Sequence, residues 1–191
     1  REYLEFYITL VQSGALTPRI FALEAGERIW LSNKITGVFT LDSVPPEMNL
    51  VLMATGTGLA PYMSMIRSAV LEGGNRRIAV IHGARHSCDL GYRSELTWLT
   101  DEYRHFIYLP IISRPQEEPA PWTGETGYCQ DAWTRRLIER RWGFTPTWKN
   151  THVFLCGNPG MIEEALGILA EERFREHTKK SPGQVHLERY W

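Results

Sequence analysis

Two glycines, Gly56 and Gly58, lie in "NLVLMATGTGLAP" between an apolar run and Pro61, and their placement suits the binding of an anion. Leu50, Val51, Leu52 and Met53 form a wholly apolar run, the pattern of a strand covered on both faces. Thr55-Gly56-Thr57-Gly58 then turns the chain, with glycine where φ must be free or a ligand must approach the backbone. Pro61 suits the first turn of a helix, which Met63, Ile66, Ala69 and Val70 continue at helical spacing. Strand, glycine turn and helix N-terminus together aim N–H groups and a helix dipole at one point, where a phosphate can sit. The spacing is not that of a triphosphate loop, since no lysine or arginine follows before Arg67. It also departs from G-x-G-x-x-G, because Ala60 and Pro61 stand where the third glycine belongs. Taken alone, the stretch also fits, less well, a tight βα turn that binds nothing.

Other strand ends carry residues of matching chemistry. "HGAR" places Arg85 at the end of a second apolar run and "SR" places Arg114 at the end of a third. Two guanidinium forks on adjacent rims suit a single phosphate, whereas either arginine alone reads as a solvated surface charge. A fourth run ends "LCGNPGM", with Cys156 at its terminus and Gly157 allowing close backbone approach. A cysteine so placed is either core filler or a residue at the site.

These residues need a scaffold that gathers strand ends along one edge. Strands are expected over 50–53, 77–83, 106–113 and 152–157, with a last one in "QVHLERYW". Helices are expected over 61–72, 93–103, 131–142 and 159–178. Alternating strand and helix implies an α/β fold, a doubly wound five-stranded parallel sheet, with ligands at the carboxyl ends of its strands. The first 45 residues read differently, as β with one short helix. "REYLEFYITLVQSG" alternates, with Phe6, Ile8 and Leu10 facing one way and Tyr7, Thr9 and Val11 the other. "TPRIFALEAG" is a helix with Thr17 as N-cap, Pro18 at its first position and Gly26 beyond its end, and "ERIWLS" is a further strand. "LDSVPPEMN" is the best boundary, dividing the chain into residues 1–45 and 46–191. The chain enters a strand pattern almost at once and without an initiator Met, as a fragment lacking its N-terminal part would. The polar, proline-rich "SRPQEEPAPWTGETG" is expected to be a mobile loop.

Composition narrows the partners. The chain has 191 residues, 43% hydrophobic and 23% charged, with a formal net charge of −1, which gives no reason to expect nucleic acid. Cys88, Cys129 and Cys156 are odd in number and form no C-x-x-C, which favours a reducing compartment over a disulfide or zinc framework. No apolar run approaches membrane-spanning length and no signal peptide opens the chain, so a soluble cytoplasmic monomer is expected. The six histidines show no metal spacing; His82 is placed in a strand and His177 on a helix face. Nothing resembles a hydrolytic triad or G-x-S-x-G.

Five stretches in order carry a resemblance: "ATGTGLAP", the "GAR" and "SR" strand ends, "CGNPGM" and the terminal "YW". Together they resemble the ferredoxin/flavodoxin–NADP⁺ reductase family in its bacterial branch, from "LEFY" to the last tryptophan. The resemblance implies an FAD-binding antiparallel barrel, represented here by the C-terminal remnant in residues 1–45, and an NADP(H)-binding α/β domain in residues 46–191. It implies flavin contacts at Tyr7, at Ala15, Leu16 and Thr17 beside the FAD pyrophosphate, and at Thr57 facing both cofactors. Tyr190 is implied to stack on the isoalloxazine and Trp191 to lie near the adenine. For NADP(H) it implies a pyrophosphate cradle at Thr55, Gly56 and Gly58, a 2′-phosphate grip at Ala84, Arg85, Ser113 and Arg114, and a nicotinamide-side loop at Gly157, Asn158 and Pro159. Cys156 and Tyr190 are implied to be the catalytic positions, Cys156 beside the carbon that exchanges hydride.

Two departures follow. The family's flavin signature R-x-Y-S/T belongs upstream of "EFY", beyond the start of this chain. In "WTGET" the chain has Glu125 where the family often places a basic residue, and a carboxylate there is expected to weaken NADPH preference. The implied activity is electron transfer between NADPH and ferredoxin or flavodoxin through FAD. A related NAD(P)H–flavin reductase, an oxygenase reductase component, and a nucleotide-binding module without turnover remain alternatives, separated by bound flavin. The charge-rich "ERRW" and "EERFREHTKK" read as solvated helix surfaces, which could also face an acidic electron carrier.

Overall fold

The apolar run at 50–53 lies near the middle of a six-stranded, wholly parallel sheet. The structure, a computed structural model, describes residues 3–34, 36–71 and 76–189, with the side chains of residues 69–71 excluded. Strands β1 (Asn49–Thr55), β2 (Ile78–Ala84), β3 (Phe106–Ile112), β4 (Glu125–Thr126), β5 (Thr151–Cys156) and β6 (Val185–Glu188) lie in the order β4-β3-β2-β1-β5-β6. Helices α1 (Thr17–Phe21), α2 (Ala60–Leu71), α3 (Arg93–Glu102), α4 (Cys129–Thr134), α5 (Leu137–Trp142) and α6 (Pro159–Glu171) and three short 3-10 turns (Gly56–Leu59, Ser87–Asp89 and Pro115–Glu117) complete the described elements.

Burial follows the period-two alternation of the strands. Leu50, Leu52 and Ala54 turn to one face, where they pack with Tyr62, Met63 and Ile66 of α2 and Leu96 and Leu99 of α3. Val51 and Met53 turn to the other, toward Trp133 of α4, Ile138 of α5 and Ile162 and Leu169 of α6. With both faces covered, each residue from Leu50 to Ala54 must be apolar, which explains why the strand reads as a run. Of the helical positions expected in α2, Met63 and Ile66 are buried, while the Ala69 and Val70 side chains lie outside the described residues.

Four expectations are corrected. The sheet has six strands rather than five: Glu125–Thr126 joins the edge of β3 inside the proline-rich loop, too short to leave an alternating pattern. The helix expected over 131–142 is two helices, broken where Arg136 takes a left-handed φ of 56°. The break returns Leu137, Ile138 and Trp142 to the core that Ala132 and Trp133 already occupy. The helix expected to reach 178 ends at Glu171, where Arg173 takes φ 70° and the Phe174 N–H donates to the Leu169 carbonyl at 3.0 Å. That turn buries Phe174 edge-on against Trp133, and it leaves His177 beyond the helix, stacked on His186.

The fourth correction concerns the N-terminal segment. Among the described residues no strand precedes Asn49, so the alternation at 3–11 and the run "ERIWLS" do not form strands. Alternation selects a strand face only when a neighbour takes the backbone N–H and C=O groups, and no described segment pairs with these residues. Phe6 is 56% exposed and Trp30 fully exposed, so their rings are unmatched by any core. In the short helix α1, Thr17 is the first helical residue and not the N-cap. Its hydroxyl turns back instead, accepting the Val11 N–H at 2.9 Å and donating to the Val11 carbonyl at 3.2 Å.

Candidate coenzyme-binding site

The strand order reverses between β1 and β5, since β2, β3 and β4 build outward on one side and β6 on the other. The loops that leave these two strands part to opposite faces, and the crevice between them is where a doubly wound sheet binds ligands. Here Gly56-Thr57-Gly58 leaves β1 as a single tight turn, and Gly157-Asn158 leaves β5. The loops touch. A side chain at Gly58 would overlap the Cys156 carbonyl, and one at Gly157 (φ 132°) would overlap the Thr55 hydroxyl and backbone. The Asn158 N–H donates to Thr55 Oγ1 at 2.7 Å, closing the contact. Asn158 also caps α6, its Oδ1 accepting the Gly160 N–H at 2.8 Å and the Met161 N–H at 3.3 Å, with Pro159 opening the helix. Gly56, at φ 52°, is different: a Cβ there meets nothing within 4 Å, so this edge of the turn faces open space.

Beneath the turn lies a polar support that the sequence did not single out. His82 of β2 is fully buried, its Nε2 3.2 Å from the Gly56 carbonyl and its Nδ1 3.4 Å from the Tyr108 hydroxyl. Burial pushes the imidazole down to about 4, against a smaller opposing pull from the Gly56 carbonyl. His82 is therefore neutral at pH 7 and carries one ring proton. Because a carbonyl only accepts, that proton sits on Nε2 and Nδ1 accepts from Tyr108. Burial likewise raises the Tyr108 phenol, which keeps it a donor. On the other side Cys129 Sγ donates to the Ala54 carbonyl at 3.2 Å, and burial pushes its thiol up to about 12. Gly83 makes room for that sulfur. A histidine within an apolar strand run was the available signal, but its partners are set by the sheet register.

The expected phosphate grip is assembled along the adjacent rims. The Ser113 N–H donates to the Ala84 carbonyl and the Arg114 N–H to the Arg85 carbonyl, both at 3.0 Å, so the two arginines follow neighbouring strands. The Arg85 side chain is exposed and meets no acidic partner among the described residues. Arg114 lies 3.4 Å from Glu117. Glu125 is not a bare carboxylate: its Oε2 lies 2.6 Å from Arg135 Nη2, while Arg135 Nη1 donates to the Thr126 carbonyl at 3.0 Å. The charge expected to oppose a phosphate is thus already paired.

The residues expected at a flavin are only partly brought together. Thr57 lies half-buried in the glycine turn. Tyr7 docks on the loop after β2, donating to the Asp89 carbonyl at 3.0 Å and accepting the Gly91 N–H at 3.2 Å. Glu5 joins it there, held by the Tyr92 hydroxyl at 2.7 Å and Arg67 at 3.0 Å. Ala15 and Leu16 are exposed, and Thr17 is bonded to Val11 as described. Cys156 is fully buried on the α2 face of the sheet, beside Phe154 and Leu59. Tyr190 and Trp191 lie outside the described residues. Among the described residues no three or more His, Cys, Asp or Glu side chains are grouped to hold a metal, and no helix is long and apolar enough to cross a membrane.

A parallel sheet with a glycine turn at its switch point defines a dinucleotide-binding domain, and the family model of the oxidoreductase NAD-binding domain matches residues 52–166. The chain is 31% identical over 190 residues to the flavodoxin/ferredoxin–NADP reductase of Buchnera aphidicola subsp. Baizongia pistaciae, covering 98% of this chain and 75% of that protein. It is 29% identical to the Escherichia coli protein of the same name, with the same coverage of both chains. A ferredoxin NADP⁺ reductase from Neisseria gonorrhoeae, solved with bound FAD and NADP, superposes with a TM-score of 0.81 at 23% identity, over 94% of this chain and 71% of that one. The chain belongs to the flavodoxin/ferredoxin–NADP reductase family.

Proposed function

We propose that this chain passes electrons between NADPH and ferredoxin or flavodoxin through FAD. The observation that carries the reading is the switch-point crevice, where the loops after β1 and β5 are locked together while Gly56 leaves one edge open. The residues present fit a dinucleotide. Gly56 and Gly58 offer backbone to a pyrophosphate, and the exposed Arg85 and Arg114 stand on adjacent rims for a 2′-phosphate. Residues 46–191 are the NADP(H)-binding domain. Residues 1–45 are the FAD-side segment, a reading supported by their exposed Phe6, Leu16, Ile29 and Trp30.

When bound, the flavin supplies the redox chemistry by taking two electrons and releasing them singly. The chain orients the coenzyme. The neutral His82 fixes the Gly56 carbonyl, and Thr55 holds the Asn158 backbone on the nicotinamide side. Buried Cys156 ends β5 with its carbonyl against Gly58 and its side chain in the core beside Phe154 and Leu59, which sets the position of that loop. Cys156→Ala removes part of that packing beneath the loop and should slow flavin reduction more than it weakens coenzyme binding.

Coenzyme choice tests the reading. Replacing Arg85 or Arg114 with Ala should lower NADPH affinity about 10- to 100-fold while NADH affinity stays nearly constant. Equal losses for the two coenzymes would show that these arginines do not read the 2′-phosphate.

A further inference from the structure

The rim that should receive an anion already carries one. Glu117, in the short turn Pro115–Glu117 after β3, reaches back to both neighbouring rims. Its Oε2 lies 2.9 Å from His86 Nε2, and both carboxylate oxygens lie 3.4 Å from Arg114 Nη1. The His86 contact foremost, helped by Arg114, holds the Glu117 carboxyl below its ordinary value, so it is ionised at neutral pH. The other His86 nitrogen lies 3.5 Å from Asp89. The adjacent Glu118 accepts the Ser87 N–H at 2.8 Å and the Ser87 hydroxyl as well. These contacts clasp the turn after β3 to the turn after β2 and keep the Glu117 carboxylate against Arg114.

We propose that Glu117 is an internal counter-ion of the 2′-phosphate site: it holds Arg114 and His86 until the coenzyme's 2′-phosphate displaces it. The inference rests on the reading of Arg85 and Arg114 as the 2′-phosphate grip. A phosphate monoester brings more charge and three acceptor oxygens, so it outcompetes one carboxylate for a guanidinium fork. Its net gain is only the difference between the two partners. A coenzyme without the 2′-phosphate has no group to exchange and leaves the clasp closed. Glu117 thus sets how strongly the site prefers the phosphorylated coenzyme, with Arg85 as the cation that needs no exchange.

The test is calorimetric titration of the 191-residue chain with 2′,5′-ADP and with 5′-AMP, which differ only in the 2′-phosphate. Glu117→Gln should bind 2′,5′-ADP about 2- to 5-fold more tightly, the range expected for losing a solvent-exposed competing ion pair, with 5′-AMP unchanged. Glu102→Gln, which removes the same charge at the end of α3 on the opposite edge of the sheet, should change neither. If Arg114→Ala weakens 2′,5′-ADP but Glu117→Gln leaves it unchanged or weaker, Glu117 is no competitor and the arginine grip stands. Equal tightening of 5′-AMP would show a general field and overturn the inference. If Arg114→Ala leaves 2′,5′-ADP binding intact, the arginine grip fails and the inference fails with it.

Discussion

Thr55 and Asn158, 103 positions apart in sequence, hold the two halves of the switch point together: the Asn158 N–H donates to Thr55 Oγ1 at 2.7 Å. Thr55 ends β1 and Asn158 caps α6, so this bond fixes the helix N-terminus relative to the glycine turn. Thr55→Val keeps the shape and removes the acceptor, which should cost about 0.5–1.5 kcal/mol of stability. NADPH affinity should fall with it, and Thr55→Ser should restore both. Urea unfolding and coenzyme titration of the three proteins provide the measurement.

The two glycines of the turn are required for different reasons, and substitution should separate them. Gly58 lies against the Cys156 peptide, so Gly58→Ala drives a methyl into backbone that cannot move aside and should cost about 1–3 kcal/mol. Gly56 has open space but a left-handed φ of 52°, which asparagine adopts more readily than other residues. Gly56→Asn should therefore cost under about 1 kcal/mol. Equal losses of stability for the two variants would mean that the loops do not touch as described.

Stability should fall as pH falls below neutrality. His82 and His152 are pushed down to about 4 and His186 to about 3, in each case chiefly by burial. The unfolded chain binds a proton at each of these histidines below about 6.5, whereas the folded chain does not until near 4 at His82 and His152 and near 3 at His186. Protons thus favour unfolding through this window, by up to about 1.4 kcal/mol per pH unit for each histidine. His82→Gln should flatten the fall from pH 6.5 to 4.5 by about one histidine's share. His152 and His186, 2.9 Å apart between ring nitrogens, should account for the remainder. An unchanged slope in His82→Gln would mean that the folded imidazole already carries its second proton in this range.

Glu125 should affect coenzyme choice less than its charge suggests. The Arg135 pair already compensates its carboxylate, so Glu125→Gln should move the NADPH-over-NADH preference by about 2- to 5-fold at most. A larger shift toward NADPH would mean that the ion pair opens when coenzyme binds.

The parallel sheet was legible because strands covered on both faces must be apolar throughout, and Leu50 to Met53 and Ile78 to Ile81 are. The glycine turn was legible because backbone contact at Gly58 and Gly157 tolerates no side chain. What escaped depends on neighbours that sequence does not name. Arg136 and Arg173 adopt left-handed geometry to bury Ile138 and Phe174, and no local propensity marks an arginine for that role. His82 looked like a strand residue until the register set Tyr108 and Gly56 against its ring. The alternation at 3–11 is a genuine strand pattern without a described partner strand, and in its place Tyr7 docks on Asp89 and Gly91. Glu125 looked repulsive because Arg135, ten positions onward, could not be placed beside it.

The most direct measurement is anaerobic stopped-flow reduction of the FAD-loaded chain by NADPH and by NADH, followed by mixing with oxidised ferredoxin or flavodoxin. The account predicts that NADPH bleaches the flavin faster at subsaturating coenzyme, that Arg114→Ala removes the difference, and that the reduced protein passes single electrons to the carrier. Flavin reduction at equal rates by both coenzymes in the unsubstituted chain, or a reduced flavin that leaves the carrier oxidised, would contradict it.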